Sequence, residues 1–494
     1  MIKNNKIKLV ALFLILSVIL ISCGTDEAPA PDNNNNVAVN DTNNGNGGTG
    51  NDTTLLDIFP YPEHDFGGAV INFLARQDGW ADGSQDFEDI MVEAETGEVL
   101  NDNVFRRTRL VEEKYNVQIE VTYVENSNDV IARSVRAGDD EYQIVQEKLV
   151  FISSNLAPQN FLFDLNTVGS INLDAPWYNQ NAIKDLSINN KVTVLGGDIT
   201  VSDKIGVLMT VFNKRIAADF GIENLYETVR QDRWTLDKLY ELMVQTTVDL
   251  NGDGIFSIQD DQFGFAAENY GGWMLSIASG NRLARLDENG LPYMTVVTEK
   301  AVNDYDRIKR IMYETPARAS VDSTENHERV FADGRYFLTI GALSQFTALR
   351  AMEEDFGIIP LPKQDENQQN YITSISPWIS RFLAMPTTVG NPEMVGAVID
   401  AMARESMNTV MLAYYNNLLE NKIARDEASV EMLKMIFDSV IYDIGSVFNW
   451  GGIWDQQHTF ITSRNQDFVG FHERIEGGVQ AALDRTIEAM QGFD

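Results

Sequence analysis

One twelve-residue stretch of this chain gathers six oxygen donors: Asp249, Asn251, Asp253, the carbonyl of Ile255, Ser257 and Asp260. They fall at positions 1, 3, 5, 7, 9 and 12 of a calcium loop, with Gly254 at position 6, where the chain must turn sharply. A hard divalent cation takes six or more oxygens, and this spacing curls them around one point. Structural calcium is therefore the expected cofactor. Asp260 stands where a longer glutamate would coordinate bidentately, which lowers the expected affinity. A loop of Asx turns holding no ion would have the same composition.

The second group of candidates is aromatic. The chain has seven tryptophans: Trp80, Trp177, Trp234, Trp273, Trp378, Trp450 and Trp454. An indole stacks on the apolar C–H face of a sugar ring, while the hydroxyls need carboxylates, amides or arginines around the rim. Aromatics joined to a few polar groups are what a ligand cleft requires; a tryptophan taken singly is more often core. Asp78 and Trp80 follow an apolar run at 69–75, and ligand crevices lie outside the carboxyl ends of strands in α/β sheets. Glu268, Tyr270 and Trp273 put a carboxylate and two aromatics on a stretch loosened by Gly271 and Gly272. Trp234 reads as a packing residue at a helix start, and Trp177, after Pro176, fits either role.

No catalytic signature accompanies them. The four histidines, His64, His327, His458 and His472, are isolated, with no paired metal spacing. There is no G-x-S-x-G and no P-loop. With 73 acidic residues, chance carboxylate pairs are inevitable, so counting alone leaves a glycosidase dyad open. Against 38 basic residues the formal net charge is −35. Such a surface repels phosphate backbones and argues against nucleic acid as a partner. Cys23 is the only cysteine, which rules out an intramolecular disulfide and a cysteine-based metal cluster.

The N-terminus reads as an export signal. Lys3, Lys6 and Lys8 precede an apolar run from Leu9 to Ile21, shorter than the roughly 20 residues a spanning helix needs and suited to a signal-peptide core. Leu20–Gly24 resembles a lipobox, so residues 1–22 are expected to be removed and Cys23 lipidated. Residues 23–54, rich in Asn, Asp, Gly and Thr, offer little apolar surface to bury and read as a disordered tether. The mature protein is then extracytoplasmic, held to the bacterial cell membrane by lipid alone.

The elements that must position the candidates follow. About 440 residues remain beyond the tether, too many for one ordinary core and enough for two lobes. A β-type run at 69–75, helical spacing of Leu100, Val104, Val111 and Tyr115, and alternation of Val117, Ile119, Val121 and Tyr123 come in sequence. A helix over 129–137 and a strand over 142–145 complete a βαβαβ order, which implies a parallel sheet. The middle reads as mostly helical with irregular connections. Strands return at 335–341 and 356–360. Asn391-Pro392 starts a helix buried through Val395, Val398, Ile399 and Met402, and Ile475, Val479, Leu483 and Ile487 mark a last amphipathic helix.

Distributed signals then carry a resemblance. In order they are Ile71–Leu74, Arg106-Arg107, Glu113–Val117, Asp174–Trp177, Gly196–Asp198, Val211–Lys214, Arg233–Asp237, Asp261–Phe265, Phe356–Lys363 and Ser429–Leu433. Behind a lipobox, and covering nearly all of 66–490, they make the chain similar to the extracellular solute-binding protein family 1, the group that includes maltose-binding proteins. The resemblance implies a two-lobed, periplasmic-binding-protein-like α/β fold with the ligand cleft between the lobes. By analogy lobe one takes 66–168 plus 331–370, lobe two takes 172–325 plus 375–460, and 461–494 is a C-terminal helical segment. It also implies ligand contacts at Gln146 and Glu147 after the third strand, at Trp378 and Arg381 after the late crossover, and at Trp450 and Trp454. Gly341–Gln345 lacks the tryptophan often found there in maltose binders, which counts against maltodextrin specificity.

Together these readings give a monomeric receptor, not an enzyme. It would capture a carbohydrate, an oligosaccharide by preference, and deliver it to the permease subunits of an ABC importer. A surface-anchored glycoside hydrolase or lyase is the main alternative, and a structural surface lipoprotein the other.

Overall fold

The computed structural model describes residues 63–77, 89–313, 316–320, 331–420, 424–462 and 467–492. The expected signal peptide, Cys23 and the tether lie outside the described residues, as do Asp78 and Trp80.

In chain order the strands are β1 (Ala69–Arg76), β2 (Val117–Val124), β3 (Ile144–Lys148), β4 (Leu208–Asn213), β5 (Phe263–Ala267), β6 (Ala284–Leu286) and β7 (Pro292–Met294). They continue as β8 (Arg318–Ser320), β9 (Tyr336–Ala342), β10 (Phe356–Ile359), β11 (Thr373–Ser374), β12 (Arg381–Ala384) and β13 (Val440–Ile441). Two sheets carry the two lobes: one ordered β12-β3-β1-β2, the other β10-β4-β9-β5-β8.

The first sheet grows from the predicted βαβαβ run. The helix Val99–Tyr115 buries Leu100, Val104, Val111 and Tyr115, and Asn116 ends it in the left-handed conformation at φ 50°. That turn feeds directly into β2, which pairs in parallel with β1 from Ala69↔Val117 to Arg76↔Val124. The helix Ser127–Ala137, capped by the Asn126 side chain, returns the chain to β3, also parallel to β1. The helix Pro392–Met407 buries the expected Val395, Val398, Ile399 and Met402 in one cluster with Ile71, Phe73 and Ile119.

The lobe partition differs from the sequence expectation. β9 and β10, within 331–370, join the second sheet: β9 lies between β4 and β5, and β10 pairs with β4. β12, placed by analogy in lobe two, runs antiparallel to β3 in the first sheet, and the helix after it packs on that lobe. The second sheet itself crosses the stretch read as mostly helical. β4 and β5 are buried at every position, and a strand covered on both faces carries no alternation to reveal it.

Two crossing segments join the lobes as an antiparallel pair, with bridges Leu195↔Leu383 and Val207↔Ile375. Between them Arg381 N donates to Ser202 O at 3.0 Å and Ser376 N to Gly206 O at 2.8 Å. Only glycine fits at 206, since a Cβ there would stand 2.3 Å from Ser380 Oγ and 2.9 Å from Ser376 O. β13 adds a third crossing segment by pairing with β11. The last helix, Phe468–Gln491, buries Val479 and Leu483 as expected. Among the described residues no helix is long and apolar enough to cross a membrane.

Candidate ligand-binding cleft

Parallel strands of both sheets deliver their carboxyl ends to one region. β1 ends at Arg76, and β3 runs into Phe151 and a π-helical turn at Ile152–Leu156. β5 leads through Glu268 and Tyr270 into the helix Gly271–Ala278. The crossing segment before β12 supplies Trp378, and the helix Ile453–Thr462 supplies Trp454.

These elements bring five aromatic rings together. Tyr270 stacks on Trp454 with centroids 4.6 Å apart and planes 14° from parallel. Trp378 lies 5.5 Å from Trp454 at 33°, and Trp273 meets Trp454 edge-on at 5.7 Å. Phe151 abuts Trp378 at 5.4 Å, near perpendicular, with the Arg76 guanidinium 5.4 Å over the Phe151 ring. First-lobe, second-lobe and C-terminal residues thus share one cluster. At its edge Gln345 Nε2 reaches Glu268 Oε1 at 3.5 Å. Burial raises the Tyr270 phenol above its ordinary range, and the nearby carboxylates of Asp455 and Glu268 add to the effect.

Other expected contacts serve the frame instead. Glu147 is fully buried. It accepts from Arg76 Nη1 with both oxygens at 3.1 Å, from Ser127 Oγ at 2.9 Å, Asn128 N at 3.0 Å and Lys148 N at 2.7 Å. Its carboxylate holds the start of the helix Ser127–Ala137 and is committed to protein donors rather than to a ligand. Gln146 is buried and donates to Asp89 Oδ1 at 3.3 Å. Trp450 also departs from the expectation. It stacks on Phe448 at 5.1 Å, donates its indole N–H to Thr486 Oγ1 at 2.9 Å, and belongs to the packing under the last helix. Trp273 is buried and donates to Ser446 Oγ at 3.0 Å, so it buttresses Trp454. Arg381 is buried at the start of β12.

Two residues that sequence reasoning missed hold the cleft in place. Asp89 Oδ2 accepts from Val201 N, Ser202 N and Ser202 Oγ at 2.7–2.9 Å, fixing a crossing segment to the first lobe. Arg318 donates to Ala267 O at 2.8 Å, Asn269 Oδ1 at 3.1 Å and Met312 O at 2.9 Å, pinning the loop that carries Glu268 and Tyr270. Burial lowers its guanidinium to about 10. Neither residue has a local sequence signal, because most of their partners are remote in the chain.

The acidic loop is exposed and stands before β5. Gly254 adopts φ 79° there, as the sharp turn requires. Asp249 accepts from Gly252 N at 2.6 Å and Gly254 N at 2.8 Å, and Asp253 Oδ1 accepts from Ile255 N at 2.7 Å. Ser257 Oγ donates to Asp260 Oδ2 at 3.1 Å, while Asn251 Oδ1 accepts from Asp253 N at 2.9 Å. The carboxylates are turned onto the loop's own donors. Among the described residues no three acidic, histidine or cysteine side chains converge to hold a metal.

Two α/β lobes, joined by crossing strands, with an aromatic cluster at the strand ends, define a two-lobed α/β fold. No protein-family model matches the chain, and no curated protein matches it by sequence. Solved structures do. An ABC substrate-binding protein from Listeria monocytogenes, in complex with cycloalternan, is similar at TM-score 0.51 and 10% identity over 86% of this chain and 99% of that one. The GacH receptor of Streptomyces glaucescens, solved unliganded and with acarbose, matches at TM-score 0.51 and 13% identity, over 86% of this chain and 100% of that one. RafE from Streptococcus pneumoniae, in its apo form, matches at TM-score 0.53 and 15% identity, over 84% and 98%. The chain has the fold of these two-lobed proteins along nearly their whole length.

Proposed function

We propose that this protein is an extracytoplasmic receptor that captures an oligosaccharide and presents it to the permease of an ABC importer. The observation that carries the reading is the cluster of Phe151, Tyr270, Trp378 and Trp454, drawn from both lobes at the carboxyl ends of their strands. Aromatic faces suit sugar rings, and Glu268 with Gln345 supplies the polar rim that hydroxyls need. Structures of the same fold hold cycloalternan and acarbose, which supports a sugar as the solute. Capture needs no covalent step. Closure of two lobes on a shared hinge is the kind of motion that a membrane partner can read.

Lipidation at Cys23 would keep the receptor, as a monomer, at the membrane. For the loop 249–260, the donor set suits calcium: three carboxylates, an amide oxygen, a hydroxyl and a backbone carbonyl, all on an exposed turn. Calcium there would tie the loop to the start of β5, away from the aromatic cluster.

The test is a thermal-shift screen of the compact unit Leu55–Asp494 across neutral and acidic oligosaccharides, followed by analysis of the recovered sugar. At 100 times its dissociation constant a ligand adds about 2.7 kcal/mol of stability. A dose-dependent rise with the sugar recovered intact supports the receptor. Release of reducing ends, or no rise with any sugar, overturns it.

A further inference from the structure

The described tryptophans divide by what their indole N–H groups do. Trp177 donates to Asp400 Oδ1 at 3.2 Å, Trp234 to Pro360 O at 2.8 Å, Trp273 to Ser446 Oγ at 3.0 Å and Trp450 to Thr486 Oγ1 at 2.9 Å. The other two, Trp378 and Trp454, have buried N–H groups with no hydrogen-bond partner. They are also the two that face each other in the cluster between the lobes, with ring centroids 5.5 Å apart.

An indole N–H only donates, and a buried donor without an acceptor is costly enough that native proteins rarely keep one. Trp378 and Trp454 both lie in the aromatic cluster, while the four described tryptophans outside this pair are satisfied, which leaves two donors there for an acceptor that the protein does not supply. The ring faces point the same way. Tyr270 already lies parallel over one face of Trp454, and Trp273 packs against it near perpendicular. Little of Trp454 is left as a platform, and its unused function is the N–H.

We infer that Trp378 and Trp454 bind the ligand as paired hydrogen-bond donors, so that the sugar presents acceptor oxygens, from hydroxyl, ring or carboxylate, at the junction of the lobes. The inference rests on the carbohydrate reading and assigns a role within that site. Because both N–H groups are buried in this conformation, the rings must part for the ligand to reach them. Donation by both tryptophans then couples the crossing segment before β12 to the C-terminal helices. Selectivity follows from chemistry: an analogue lacking the acceptor oxygen leaves two donors unpaired.

The experiment is an NMR titration of the mature chain carrying indole-15N tryptophan, with maltotetraose in one arm and trigalacturonate in the other. Trp378→Phe and Trp454→Phe assign the two signals and remove each N–H while keeping an aromatic ring. The expected result, in whichever arm binds, is a downfield shift and slowed solvent exchange confined to these two signals. Each Phe variant should bind roughly tenfold more weakly, the worth of one buried hydrogen bond. Binding with both signals unmoved, or with full affinity in both variants, overturns the inference and leaves the receptor reading intact. Binding of neither sugar by the wild-type chain overturns this inference for the acceptors that these two sugars present, and the carbohydrate reading falls with it only if the thermal-shift screen finds no sugar either.

Discussion

Tyr270 stacks on Trp454 at 4.6 Å and 14°, so a loop leaving the second sheet and a helix near the C-terminus hold each other in the cleft. Offset-stacked aromatic pairs are worth about 0.5–1.5 kcal/mol beyond the area they bury. A double-mutant cycle of Tyr270→Ala and Trp454→Ala in urea denaturation should return a coupling of that size. Additive effects would show that the stack does not organise the site.

Glu147 separates a framework role from a ligand contact. Glu147→Gln keeps the shape but removes the buried negative charge that faces the Arg76 guanidinium, whose side chain is 13% exposed. Breaking a buried pair in this way costs about 3–5 kcal/mol. The midpoint of denaturation should fall strongly. A variant that melts like the wild type yet loses sugar would restore Glu147 to the ligand-binding set.

Gly206 tests the hinge. Gly206→Ala places a methyl group 2.3 Å from Ser380 Oγ, and overpacking of this kind costs about 1–3 kcal/mol. The two crossing segments should separate, with a lower melting temperature and an altered small-angle scattering radius. An unchanged radius and melting point would show that the segments do not pack this closely.

The acidic loop predicts a cation effect. Millimolar calcium should raise the melting temperature of the wild-type chain, as a site of extracellular affinity does. Asp253→Ala should abolish that rise, with only a small change in the melting point in chelator from the lost hydrogen bond of Ile255 N. A rise that survives the substitution would place the ion elsewhere.

His472 predicts a pH effect. Its ring is buried among Phe460, Phe468 and Phe471, with Nδ1 donating to Phe468 O at 2.7 Å and Nε2 accepting from Gln457 Nε2 at 2.5 Å. Burial holds its pKa below the ordinary 6.5. The folded state therefore binds fewer protons than the unfolded one. The stability from this group is present above 6.5 and is lost as pH falls below it. Melting of the wild type and of His472→Asn at pH 7.5 and pH 5 should show the gap between them narrowing in acid. A gap that is constant with pH would mean the ring is not buried neutral.

Local pattern by itself determined much of this protein. Alternation at Val117–Tyr123, helical spacing at Leu100–Tyr115 and the capped start at Asn391-Pro392 each act within one element, and each appears where the sequence places it. The candidate Tyr270 could be picked out as an aromatic beside two glycines, whereas Trp378 and Trp454 were candidates only through the family resemblance. Tertiary structure decided the rest. Which sheet takes β9 and β12 depends on pairing between segments far apart in sequence, and edge partners leave no trace in a strand's own composition. Trp450 and Trp454 lie within five residues of each other and read alike in sequence. One N–H meets Thr486 on the last helix and the other meets nothing. The difference lies in a partner more than thirty positions away, brought in only when the last helix packs, because hydrogen-bond satisfaction belongs to the assembled fold and not to the local chain.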